Sequence, residues 1–190
     1  MADTYLKRLA RLSYLDPIPI LLRYGELEIQ VAQSNLRPDV KALRTSKLKT
    51  AREGREAALF ALGLAEVTRT KVYVALDESA DHDFVLCWSQ EEPVRFCPVQ
   101  LKELVSAERN PTASMEGLIS SVASRPRTQT ILLIRLNRKA DIHIETLPLD
   151  GFPFSELWFL WQVAPDPSRW AILGNGLATP VRYDFDYPVP

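Results

Sequence analysis

Past residue 70 the apolar residues of this chain come in short runs separated by turn-forming residues, and that pattern constrains its fold more than any other feature. Lys71 to Leu76, Phe84 to Trp88, Val94 to Leu104, Thr130 to Leu136, Glu156 to Val163 and Trp170 to Leu173 are rich in β-branched and aromatic residues, the composition of strands. Ser79-Ala80-Asp81-His82 and Gln90-Glu91-Glu92-Pro93 read as the turns between the first three. Even the most apolar stretches, Ile131 to Leu136 and Leu157 to Ala164, fall far short of the roughly 18–20 residues of a membrane span. The 14 prolines outnumber the 7 glycines and punctuate the elements, most densely in the later third.

Helical signals interrupt this pattern. Residues 46–66, dominated by Lys, Arg, Glu, Ala and Leu, form the clearest helix, with Ser46 or Thr50 available as its cap and an apolar second half around Ala57 to Leu62. A shorter helix is expected over residues 3–13, ended by Asp16-Pro17 and Pro19, and another over Ser114 to Ser124. In Ile20 to Gln33, Leu27, Ile29 and Val31 alternate with Glu26, Glu28 and Gln30, which predicts a strand; Ile142 to Leu147 reads as a strand likewise. Helices interleaved with strands imply an α/β or α+β fold, a central mixed β-sheet flanked by helices with additional C-terminal strands. At 190 residues a single domain is expected, comprising an N-terminal extension (1–45), a core (46–136) and a C-terminal strand-rich appendage (137–190).

The composition, 46% hydrophobic and 25% charged, is that of a globular protein and excludes disorder or a disulfide scaffold. Its net charge of −1 speaks against a polyanion partner until resolved by position. Arg37 to Arg55 holds seven basic residues (Arg37, Lys41, Arg44, Lys47, Lys49, Arg52, Arg55) against Asp39 and Glu53, and Arg125 to Lys139 holds five with no acid. From Ala140 onward the balance is −5. The basic half could meet nucleic acid, or its charges could merely solvate helix faces. Cys87 and Cys97 lack metal-ligand spacing, as do His82 and His143, and both thiols are expected buried and reduced. The basic, amphipathic start reads as a docking helix rather than a signal peptide, so a cytoplasmic location is expected.

Polar groups converge at one hairpin. With a turn centred on Gln90 to Pro93, antiparallel partners have numbers summing to 183, which places Asp83 opposite Gln100 and Asp81 opposite Lys102, all on one face. The same register puts Cys87 and Cys97 on opposite faces. Such a cluster on an otherwise apolar hairpin carries a desolvation cost that is tolerated most readily at a functional site. Plainer roles stand beside it: Asp83 as a turn residue, Lys102 with Asp81 as a cross-strand ion pair, and Glu53 and Glu56 paired with neighbouring Lys49, Arg52 or Arg55. Trp158, Trp161 and Trp170 read as core or interface residues, with base stacking the other option, and His143 as structural.

Around these residues the sequence resembles the PD-(D/E)xK nuclease-like (restriction-endonuclease-like) superfamily over about residues 46–136. The matching run is Arg52-Glu53-Gly54-Arg55-Glu56 on the helix, Asp81-His82-Asp83-Phe84-Val85-Leu86 opening the second strand and Val99-Gln100-Leu101-Lys102 on the third, followed by a helix and a strand. Gln100 stands where that pattern has an acid, and no proline precedes Asp83. The resemblance implies a restriction-endonuclease-like core and a metal-dependent DNA endonuclease. Asp83, Gln100 and Glu56 (or Glu53) would hold Mg²⁺, and Lys102 would assist the attacking water. Lys47, Lys49, Arg52, Arg55, Arg125 and Arg127 would contact DNA, and a homodimer is expected by analogy. The alternatives are an inactive nucleic-acid-binding module on the same fold and a protein-interaction or oligomerisation domain.

Overall fold

The computed structural model describes residues 2–34, 49–90 and 92–189. Among the described residues, four α-helices and seven strands build an α+β architecture with one central mixed sheet: α1 (Ala2–Leu9), α2 (Pro17–Gln33), α3 (Lys49–Thr68), β1 (Tyr73–Leu76), β2 (Phe84–Trp88), β3 (Arg95–Leu104), α4 (Met115–Ala123), β4 (Ile131–Leu136), β5 (Glu156–Gln162), β6 (Arg169–Gly174) and β7 (Val181–Asp186). The strands lie in chain order across the sheet. β1, β2 and β3 form an antiparallel meander, β3, β4 and β5 run parallel, and β5, β6 and β7 are antiparallel again. Each parallel step needs a crossover, supplied by α4 and then by the segment 137–155 with its short 3₁₀ turn Ile144–Thr146.

Strand alternation divides the interior into two layers. Phe84, Leu86, Cys97, Val99, Ile131, Leu133, Trp158, Trp170 and Phe185 pack on one face beneath the apolar half of α3, with Leu21 of α2. Leu132, Ile134, Leu136, Leu157 and Phe159 point to the other face, against Ile119 and Val122 of α4 and Leu147, Phe152 and Phe154 of the second crossover. The far end of the chain is fastened to its beginning: the Tyr187 hydroxyl donates to the Leu21 carbonyl at 2.7 Å.

Two expectations are corrected. Residues 17–33 are helical, not a strand. Asp16 is an N-cap whose carboxylate accepts from the Ile18 N–H at 2.9 Å, and Pro17 and Pro19 occupy the first turn, where a missing N–H costs nothing. The two prolines start a helix there instead of ending the previous one, and Ile29, one of the alternating residues, is exposed. Residues 142–147 hold a 3₁₀ turn rather than a strand, with His143 exposed at its start, 3.5 Å from Glu145. β5 pairs with β4 and continues the same sheet, to which β7, unread in the sequence, forms the edge. Ser46 lies outside the described residues, and Thr50 is inside α3 rather than at its cap.

Candidate functional site

The hairpin register follows the sequence reading, running from Phe84↔Val99 to Trp88↔Arg95. At Asp83 the ladder slips by one residue: its N–H donates at 2.9 Å to the Val99 carbonyl, so Asp83 and Phe84 both face Val99, the count of a β-bulge. The slip brings the Asp83 carboxylate onto the Leu101 N–H at 2.6 Å and under the amide of Gln100, which donates to the same oxygen. The turn before it is braced by His82, buried, with Nδ1 2.9 Å from Ser79 Oγ and Nε2 3.1 Å from Asp77 Oδ2, while Asp77 also meets Arg8 at 2.8 Å.

Gln100 passes the contact onward. Its amide oxygen accepts from Arg125 Nη1 at 2.9 Å, which makes a chain from carboxylate through amide to guanidinium. Gln100 is 6% exposed, so its amide is held on both sides with little water to compete. Arg125, half-buried past the end of α4, lines an open cleft of about 280 Å³ with Ala80, Asp81, Pro126, Arg127, Thr128 and Phe154. A second cleft of the same size adjoins it and shares Arg127, Thr128 and Phe154, extending the groove past Gln129 and Ser155. Arg127 is exposed, and the Thr128 and Thr130 hydroxyls are 2.8 Å apart.

The other predicted residues go elsewhere. Lys102 is half-buried, two positions beyond Gln100 on the same strand face and opposite Ile134 of β4. Asp81 is exposed in the turn, outside the β2–β3 ladder, so the expected Asp81–Lys102 pairing is not formed. Glu56 lies across the sheet, on the buried, sheet-facing side of α3, where its carboxylate is 3.1 Å from Arg135 Nε of β4 in an ion pair without hydrogen-bond alignment. Arg55 lies 5.1 Å over the Trp170 ring and 3.2 Å from Glu28, and Arg52 faces Glu103 at 3.8 Å. Both belong to the α3 layer and are separated by the sheet from Arg125 and Arg127. Lys47 and most of the first basic segment lie outside the described residues, as does the Lys49 side chain.

This geometry does not fit a Mg²⁺ ion held by Asp83, Gln100 and Glu56. One carboxylate is across the sheet, the Gln100 oxygen is bound by a guanidinium, and one Asp83 oxygen already accepts two N–H bonds. Among the described residues no three His, Cys, Asp or Glu side chains cluster to hold a metal. Both cysteines are free and buried, and Trp158 and Trp170 are core residues. Sequence reasoning missed two partners that only the fold supplies, Arg125 for Gln100 and Arg135 for Glu56. It also missed Arg138, whose guanidinium is occupied by the carbonyls of Val105, Asn110 and Ala113. Among the described residues no helix is long and apolar enough to cross a membrane. Compared with protein-family models, curated proteins and solved structures, the chain matches none.

Proposed function

We propose that the chain is a nucleic-acid-binding module that grips phosphates in the Arg125–Arg127 groove, on a nuclease-like hairpin that has exchanged metal chemistry for anion recognition. The observation that carries this reading is the Arg125–Gln100 contact. The amide that a metal mechanism needs as an oxygen ligand instead anchors a guanidinium at the mouth of the groove. A neutral amide at this position removes the charge that would attract a cation, and the guanidinium beside it repels one. One Arg125 nitrogen is spent on Gln100, and the guanidinium has further N–H groups to give to a phosphate, supported by exposed Arg127 and the Thr128 hydroxyl. One Asp83 oxygen accepts two N–H bonds, which fix the carboxylate beneath Gln100 and turn the Gln100 amide oxygen toward Arg125.

The test is binding of labelled single- and double-stranded DNA and RNA across a salt series. Affinity should fall steeply with salt, and Arg127→Ala should weaken binding to all sequences alike while reducing the salt slope by about 1. Absence of binding at about 50 mM salt, or affinity indifferent to both Arg125→Ala and Arg127→Ala, rejects the proposal. Mg²⁺-dependent cleavage by the wild type that is lost in Asp83→Ala would reinstate the metal-dependent endonuclease.

A further inference from the structure

We infer that the outer edge of β7 is a self-pairing surface through which two copies of the chain join, antiparallel, in a register centred on Tyr183. Among the described residues nothing pairs with this edge, whereas at the opposite side of the sheet β1 is covered by a bridge between Leu15 and Val74. The direction of its free backbone groups follows from the β6–β7 ladder. Arg169 pairs with Asp186 and Gly174 with Val181, and the Tyr187 N–H donates to the Ser168 carbonyl in that same register. Odd-numbered residues of β7 therefore spend their N–H and C=O on β6, and Arg182, Asp184 and Asp186 direct theirs outward.

A second β7 laid antiparallel on this edge can bond only through those even positions, which restricts the possible registers. Centred on Arg182, each copy would set Arg182 against itself; centred on Asp184, aspartate against aspartate. Centred on Tyr183, Arg182 of each copy lies opposite Asp184 of the other. Both charges are then doubly satisfied, because within one chain Arg182 already bonds Asp184 at 2.7 and 3.0 Å. On the other face half-buried Tyr183 meets its own copy across the two-fold axis, and exposed Val181 lies opposite Phe185, whose ring is buried in the core beneath α3. Charged residues on an edge strand ordinarily discourage indiscriminate pairing. Here they also select one self-complementary arrangement, and Pro180 and Pro188 bound it at either end.

Sedimentation of the full chain at about 100 µM tests this, since an interface this small supports association only in the micromolar range. The wild type should be dimeric. Arg182→Asp, which opposes aspartate to aspartate, should weaken association at least tenfold, and the double exchange Arg182→Asp with Asp184→Arg should restore it. A circular dichroism spectrum unchanged in each variant establishes that the fold is intact. Independently, Tyr183→Cys should cross-link two chains under mild oxidation, because a non-hydrogen-bonded pair brings Cα atoms to about 4.5 Å, within disulfide reach. Val181→Cys, opposite Phe185, should not. A monomeric wild type, a dimer indifferent to Arg182→Asp, or cross-linking at Val181→Cys in place of Tyr183→Cys overturns the inference.

Discussion

Glu56 and Arg135 form a buried ion pair, 3.1 Å apart, that ties α3 to the centre of the sheet, and Arg135 in turn stacks 4.6 Å over the Trp170 ring. Removing Glu56 leaves the buried Arg135 guanidinium without this counter-charge, held by the Leu136 and Leu160 carbonyls and the Trp170 ring. Glu56→Ala should therefore lower unfolding free energy by about 3–5 kcal/mol in urea titrations. Nucleic-acid affinity of the folded fraction should be unchanged, since the pair lies across the sheet from Arg125. A loss of affinity without a loss of stability would return Glu56 to the functional site.

Gln100→Glu restores the acid of the nuclease pattern and replaces a donor by a second carboxylate against Asp83. Arg125 pairs with one oxygen of the new carboxylate and offsets part of the repulsion, and the remaining contact between the two carboxylates raises the pKa of one of them in the folded state. Stability is then fully present below the ordinary carboxylate value and is lost as pH rises through the raised one. The variant should match the wild type near pH 4 and be about 1–3 kcal/mol less stable near pH 8, compared by urea midpoints at both pH values.

The Arg182 hydrogen bonds hold the Asp184 carboxyl below the usual carboxylate range, reinforced by the charges of Arg182 and Arg169, while partial burial opposes them. A depressed folded pKa means that this pair stabilises above about pH 4 and that its contribution disappears as pH falls through the lower value. Carboxyl chemical shifts should place the Asp184 midpoint below the ordinary aspartate value of about 3.9, and Arg182→Ala should move it upward.

Burial drives the Cys97 thiol up to about 11, with the nearby Glu156 charge acting in the same direction, and it raises Cys87 as well. Thiolate is the reactive form, so neither residue should react with a disulfide reagent in the native protein at pH 8, and both should react on unfolding. Rapid native labelling of Cys97 would contradict its burial on β3 in the core beneath α3.

Gly174 ends β6 against the Trp158 indole. A Cβ there would overlap the ring, which is rigid and itself packed on Phe60. Gly174→Ala should cost about 1–3 kcal/mol and lower the melting temperature, with Trp158 fluorescence reporting the displaced ring.

The strands were legible wherever local chemistry decided them. Phe84 to Trp88 and Ile131 to Leu136 are apolar, short and bounded by turns, and the hairpin register followed from its turn alone. The Asp16-Pro17 junction shows where local reading divides, since the same residues can end one helix or cap the next, and tertiary packing of Leu21 beneath α3 decides between them. Charge is hard to read locally for a different reason. Arg52, Arg55, Arg135 and Arg138 belong to basic segments, yet each is committed to partners distant in sequence, so the segment total says little about the surface field. Asp83 and Gln100 were visible as a pair; Arg125, 25 residues further on, was not.

The bond from Tyr187 to Leu21 spans 166 residues. A contact of that separation closes nearly the whole chain, and with α3 packed against β1, β6 and β7 it leaves no stretch able to ripen alone. Folding should be slow for a domain of this size, governed by topology rather than local propensity. Amide exchange in α2 should be quenched or released in step with β7, at the two ends of the polypeptide, as one cooperative unit.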